Sequence, residues 1–338
     1  MDPKTPKLLF QKPTKSVRDW LLDSDPSIRW QVMRDLTRES DEPVAAERAK
    51  VATQGWGATI LAAQAEDGTW AGDVRIPEYP TLRTLLLLCD MGLDPESEQA
   101  RRAISRVRAN VKWLMNISQE ELPKDVDISW WHKPFFAGEV EPCMNGRGVK
   151  IGAYFGEDMQ PLVERLLGEQ MADGGWNCEQ ENGSTRGSFH STICVLEGLL
   201  EYEKVTSGSL AVTAARQRGE KYLLERRMFR SLSTGEMPAI DNATEQPPTW
   251  TLFSYPTSWH YDVLRGLDYM RSAGAAPDER MSQAVELVAK KQNQNGRWPR
   301  ENIHDDPIGL DMEGASGTDS YWNTLRALRV LAWYSLQN

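Results

Sequence analysis

The stretch "QMADGGW", residues 170–176, decides how this 338-residue chain is read, because its pattern occurs three times. Gln64-Ala-Glu-Asp-Gly-Thr-Trp70 and Gln292-Asn-Gln-Asn-Gly-Arg-Trp298 keep the same order: Gln, two residues, Asp or Asn, Gly, one residue, Trp. The tryptophans stand 106 and 122 residues apart, roughly twice a helix–turn–helix unit, and such self-similarity sets an architecture. Each residue type has a use at the junction of two helices. Gly permits a tight turn, Gln can satisfy helix-end groups, and Trp can stack between units.

Working outward, each copy follows an amphipathic stretch and precedes a more apolar one. Amphipathic helices are predicted over about 43–64, 96–115, 157–170, 208–226 and 277–293, where apolar residues recur at three- and four-residue spacing. Apolar partners are predicted over about 27–38, 81–92, 144–155, 188–203, 258–271 and 319–335. A short helix at 16–22 completes six outer helices against six inner ones, and no strand hairpin stands out. The expected fold is all-α, an (α/α)6 barrel or toroid in which residues 1–338 form one domain and helix 16–22 closes the outer ring.

Composition narrows the function. The net charge of −10 disfavours nucleic acid or an anionic membrane as the main partner. No apolar run approaches a membrane span, and the N-terminus has no apolar leader, so a cytoplasmic protein is expected. The four cysteines show no paired spacing, which fits reduced thiols. Thirteen tryptophans can line a core or an apolar cavity.

The Gln…Gly-x-Trp repeat resembles the QW motif of the terpenoid cyclase and protein prenyltransferase superfamily, where it links outer to inner helices of an (α/α)6 barrel. The resemblance implies an enzyme acting on an isoprenoid or other apolar substrate. Two further stretches resemble members of that superfamily. "DVDI" resembles the Asp-x-Asp-Asp acid motif of protonation-initiated cyclases, with Ile128 in place of the last acid; this implies Asp127 as the proton donor. "FHSTICVLEGL", residues 189–199, resembles the helix that carries the zinc-binding His of protein prenyltransferases. Aligned on Leu196–Leu199, Ser191 takes the ligand's place and His190 falls one residue before it. Zinc is the candidate cofactor, with Cys143, Cys178, His190 and His260 as candidate ligands.

In such a barrel the inner helices run parallel, so the segments leading into their N-termini form one rim. All four histidines lie on those segments. Two segments, 125–147 and 239–262, are long and rich in Trp, Phe and Pro, as ordered lids are. Asp127, Glu141, Cys143, His190 and His260 are the candidate catalytic residues, since a His near neutral pKa and a thiol at a helix N-terminus suit acid–base or nucleophilic work. Trp130, Trp131, Arg147, Trp176, Tyr255, Trp259, Asp319 and Trp322 are the candidate substrate-binding residues. Two other readings stay open. One is a carbohydrate-active (α/α)6 enzyme using paired carboxylates such as Glu139, Glu141, Asp241 and Asp319. The other is a toroid that binds a partner without catalysis.

Overall fold

The computed structural model describes residues 13–70, 78–114, 132–235, 249–304 and 310–335. The structure is all-α, with only two short antiparallel strand pairs among the described residues. The chain divides into two compact units. Unit one takes Met1–Arg48, Glu220–His304 and Asp311–Asn338; unit two takes Ala49–Gly219 and Asp305–Leu310.

Unit two contains α4 (Gly55–Ala62), α5 (Glu78–Met91), α6 (Glu98–Asn110), α7 (Pro142–Tyr154), α8 (Gln160–Gly168) and α9 (Phe189–Thr206). Strand β1 (Lys112–Leu114) pairs with β2 (His132–Pro134). The sequence dictates the two helix types. In α6, Ser97 caps the N-terminus by accepting from Ala100 N at 3.2 Å. Its buried residues Ala100, Ala103, Ile104 and Val107 make one stripe, and four arginines lie outside it. In α7 nearly every residue from Pro142 to Ala153 is buried. Helices α5, α7 and α9 pack side by side, with α4 against α5 and α8 against α7.

Unit one contains α1 (Lys15–Leu22), α2 (Pro26–Val32) and α3 (Asp41–Ala49, its last residue falling in unit two), followed by α11 (Val263–Ser272), α12 (Ser282–Lys290) and α13 (Tyr321–Ser335). Between the two groups in sequence, α10 (Leu210–Glu225) is divided between the units. Strand β3 (Trp298–Pro299) pairs with β4 (Asp319–Ser320) at the start of α13. Helix α13 packs on both α11 and α2.

The three Gln…Gly-x-Trp turns share one geometry. Each Gln side-chain amide donates to the carbonyl of the turn Gly: Gln64 to Gly68 at 3.1 Å, Gln170 to Gly174 at 2.8 Å, Gln292 to Gly296 at 3.1 Å. Each indole N–H donates 2.7 Å to a carbonyl ten residues back, at Ile60, Leu166 and Val288. Each Trp backbone N–H reaches a threonine hydroxyl of the following helix, on Thr81, Thr192 or Thr324. The glycines sit at φ 87°, 87° and 78°, which only Gly adopts without strain. The first two turns also dock on a neighbouring helix. Gln64 donates to Ala103 O at 3.0 Å and Gln170 to Ala215 O at 2.8 Å.

Two expected helices differ. The stretch 43–64 is broken into α3, a 3-10 turn at Lys50–Ala52 and α4. Gly55 turns at φ 63°, and a Cβ on Gly57 would collide with the Val51 carbonyl, so two glycines fold the chain back on itself there. The helix expected from residue 258 begins at Val263. Asp262 caps it, accepting from Arg265 N at 2.8 Å, and Ser258 at φ 50° ends any helix before it.

Unit one holds a largely buried charge network on α11, α13 and the turn Met33–Thr37 that follows α2. Arg329 Nε lies 2.6 Å from Asp35 Oδ2, and Arg34 grips the same carboxylate at 2.6 and 2.9 Å. Asp268 takes Arg271 at 2.8 Å and Arg326 at 3.9 Å. Burial opposes ionisation of both aspartates, yet the guanidinium groups outweigh it and hold both below the ordinary range. Groups with depressed native pKa values stabilise the fold above the unfolded value of about 3.9. That contribution disappears as pH falls through the lower native values. Asp268→Asn is therefore expected to cost about 1.5–3 kcal/mol at pH 7. In urea titrations the gap to wild type should narrow steadily between pH 4 and pH 2.

Candidate functional site

The site is built where α7 and α9 begin. Their approach is set by glycine: a Cβ on Gly146 would lie 2.6 Å from both Cys194 O and Val195 Cα, and one on Gly198 would strike Gly146 O. Backbone therefore meets backbone, and the first turn of α7 comes beside the first turn of α9.

The lead-in to α7 is clamped. Asn145 Oδ1 accepts from Glu139 N at 2.8 Å while its Nδ2 donates to Glu139 O at 3.0 Å. Arg165 donates to the carbonyls of Glu139 and Val140 at 2.5 and 2.7 Å. This fixes Glu141, the N-cap residue, and Cys143 in the first turn of α7. The lead-in to α9 is closed in the same way. Ser188 N donates to Trp176 O at 2.8 Å, Asp173 accepts from Gly187 N at 3.0 Å, and Asn177 Nδ2 donates to Arg186 O at 2.8 Å. The 3-10 turn Cys178–Gln180 is thereby presented to the first turn of α9.

Three donor atoms converge. The sulfurs of Cys143 and Cys178 and a carboxylate oxygen of Glu141 all lie within 4.8 Å of one another. Cys143 is buried, 8% exposed, while Cys178 is half-buried. The Cys143 thiol reaches Glu141 Oε2 at 3.4 Å. Ser191 holds Cys178 twice, accepting from its backbone N–H at 3.2 Å and lying 3.3 Å from its sulfur.

The hydrogen bond between the thiols pushes Cys143 up, with burial adding to it. The same bond holds Cys178 below the ordinary thiol value, against its burial and with help from Ser191. Burial likewise pushes the Glu139 carboxyl up. Arg147 is buried and turns its Nε to Cys143 O at 3.2 Å, with a second contact to Met144 Sδ. His190 is half-buried in the first turn of α9, next to Ser191.

The structure thus brings together Glu141, Cys143, Cys178 and the Ser191 hydroxyl. Trp176 is fully buried in the turn's core. Asp127, Trp130 and Trp131 lie outside the described residues.

The other expected site residues belong to unit one. Tyr255 and Trp322 are buried and stacked at 4.1 Å. His260 stacks between Trp259 and His304, each ring 3.8 Å away. Asp319 is held by Arg297 at 3.0 Å and by Asn293 at 2.6 Å. Glu313 caps α13, accepting from Trp322 N at 2.8 Å, and its burial pushes its carboxyl up.

Ser191 was not among the expected site residues. The alignment of "FHSTICVLEGL" had placed it in the ligand position, which was the available signal.

The chain shows structural similarity to type II terpene cyclase MstE from Scytonema. Against the apo enzyme the identity is 11%, the TM-score 0.36, and 87% of this chain and 98% of that one are covered. Against a variant with the product merosterolic acid A the identity is 14%, the TM-score 0.38, and the coverage 96% and 99%. A substrate complex with geranylgeranyl dihydroxybenzoate gives 12% identity, a TM-score of 0.35 and the same coverage as the apo form. No protein-family model and no curated protein matches the sequence.

Proposed function

We propose that this chain is an enzyme of the terpenoid cyclase/prenyltransferase type, acting on an isoprenoid or another apolar substrate, with its chemistry at Glu141, Cys143 and Cys178. The observation that carries the proposal is the convergence of two sulfurs and a carboxylate at the N-termini of two tightly packed helices. The repeated turns support the class; the donor cluster supports the reaction.

The donor set fits zinc. Two thiolates and one carboxylate are zinc-type ligands, and three protein ligands leave a fourth position for a reacting group. A bound zinc ion would supply Lewis acidity and lower the pKa of a thiol, alcohol or water at that position. The residues of the chain do the rest. Glu141 accepts a hydrogen bond from the Cys143 thiol, Ser191 holds the Cys178 sulfur in place, and the clamps on residues 139–141 and 177–188 keep all three donors fixed. His190, one residue from Ser191, is the proposed group that gives or takes a proton at the rim. Asp127 remains the proposed proton donor of a metal-free acid route.

Elemental analysis of untagged protein is expected to find about one zinc per chain, as three-ligand sites of this kind hold one ion. Cys143→Ser and Cys178→Ser should each remove it, and native thiol titration should detect both cysteines only after chelation. Metal-free protein with both thiols reactive and no stabilisation by added zinc would overturn the site. For the substrate class, isoprenoid alcohols should raise the melting temperature and oligosaccharides should not. The reverse would favour the carbohydrate reading.

A further inference from the structure

The two sulfurs beside Glu141 are also beside each other. Cys143 Sγ, Cys178 Sγ and one Glu141 carboxylate oxygen all lie within 4.8 Å of one another, and the two thiols share a hydrogen bond. The other two cysteines differ in setting. Cys89 in α5 and Cys194 in α9 are buried and lie outside this cluster. Two thiols in contact can lose two electrons together and join.

Access sets the order of events. Cys178 is half-buried, and the residues that follow it, Glu179 through Gly183, are all exposed. Cys143 is only 8% exposed, so an oxidant reaches Cys178 first and Cys143 through it. The backbone around both is held. Asn177 Oδ1 accepts from Glu179 N at 3.0 Å, and Ser191 Oγ accepts from Cys178 N at 3.2 Å. Ahead of α7, the Asn145 amide clamps Glu139 at 2.8 and 3.0 Å. The sulfurs therefore stay within reach of each other in the reduced protein.

We propose that Cys143 and Cys178 form a redox site that a hydroperoxide oxidises to a disulfide. The Cys178 sulfur attacks the distal peroxide oxygen, and the O–O bond breaks. The alcohol or water leaves with the thiol proton, and Cys178 becomes a sulfenic acid. The Cys143 sulfur then attacks the Cys178 sulfur, the S–O bond breaks, and the hydroxyl leaves as water with the Cys143 proton. Two thiols are oxidised by two electrons in all, and one hydroperoxide is reduced. The chemistry uses the same sulfurs as the proposed zinc site but depends on their adjacency and not on the metal. Where zinc is bound, the disulfide consumes both thiolates and leaves Glu141 alone, so oxidation expels the ion.

Peptide mapping of the full chain tests this, on protein as purified and on chelator-treated protein, before and after hydrogen peroxide. Remaining thiols are alkylated after unfolding. In the chelated protein the number of alkylated cysteines should fall from four to two, with Cys143 and Cys178 in one intramolecular link. Cys89 and Cys194 should stay free, and dithiothreitol should restore all four. In Cys143→Ser, Cys178 should stop at the sulfenic acid and label with dimedone. In Cys178→Ser, Cys143 should stay alkylatable. The wild-type map is decisive even if a serine variant does not fold. Protein purified with zinc should also release it to a chromogenic chelator as the link forms. A link formed in protein that binds no zinc overturns the zinc site and upholds the redox site. Zinc binding, with Cys143 and Cys178 both still free after peroxide in the chelated protein, does the reverse. Links between chains, or Cys178 oxidised to the sulfinic acid beside a free Cys143, also overturn the redox site.

Discussion

Replacing Trp176 with alanine is expected to destabilise the protein by about 3–5 kcal/mol, the range for deleting a large buried aromatic. Trp176 is fully buried, and three separate bonds pass through it. Its indole N–H ends α8 by satisfying Leu166 O at 2.7 Å; its backbone N–H takes the Thr192 hydroxyl at 3.0 Å; its carbonyl accepts from Ser188 N at 2.8 Å. Alanine keeps the backbone bonds but empties the ring's volume and orphans the Leu166 carbonyl. Gly219 packs so closely on the ring that a Cβ there would lie 2.9 Å from it, so the hole opens directly beneath α10. Trp176→Phe separates the two losses. It retains most of the volume and should cost about 1–3 kcal/mol, the penalty of one unsatisfied buried acceptor. Urea unfolding of the three proteins gives both figures. A cost below about 1 kcal/mol for alanine, far under the large-to-small range, would mean that the turn is not what anchors the lead-in to α9.

That expectation rests on a feature plainly legible in the sequence. Six apolar helices and their amphipathic partners follow from three- and four-residue spacing, and the repeated turns fall between them as read. Local breaks were less legible. The ends of α3 and α4 depend on Gly57 meeting the Val51 carbonyl, and the late start of α11 depends on Asp262 capping rather than on apolar pattern. The site was readable only as separate parts. Cys143 and Cys178 stood out as rim thiols and Glu141 as a rim acid, but their meeting depends on Gly146 and Gly198, two residues that carry no chemistry. The charge network of unit one was illegible for a related reason. Its members are scattered over α11, α13 and the turn Met33–Thr37, and the bond from Arg329 to Gln31 spans 298 positions, which no periodicity reveals.

Gly146→Ala is expected to destabilise the protein by about 3 kcal/mol, the upper end of the ordinary range for overpacking. Alanine in a helix interior normally gains about 1 kcal/mol over glycine, so the steric loss must exceed that gain to set the sign. It does so because the new Cβ meets backbone on both sides: Cys194 O and Val195 Cα, each at 2.6 Å. Neither can rotate away. Helices α7 and α9 must separate, and with them move Cys143 on one helix and Ser191, which holds Cys178, on the other. The same substitution should therefore weaken zinc retention by about tenfold or more, as loss of supporting contacts around a metal site does. Gly148→Ala is the control on the same helix. The nearest atom to its Cβ would be Leu162 Cδ2 at 3.7 Å, an ordinary contact, so stability should hold or rise and zinc retention should stay unchanged. Melting curves with and without zinc, and competition with a chelator, measure both effects on both variants. If the two alanines behave alike, the glycine contact between α7 and α9 does not place the thiols, and the clamps on residues 139–141 and 177–188 must do so alone.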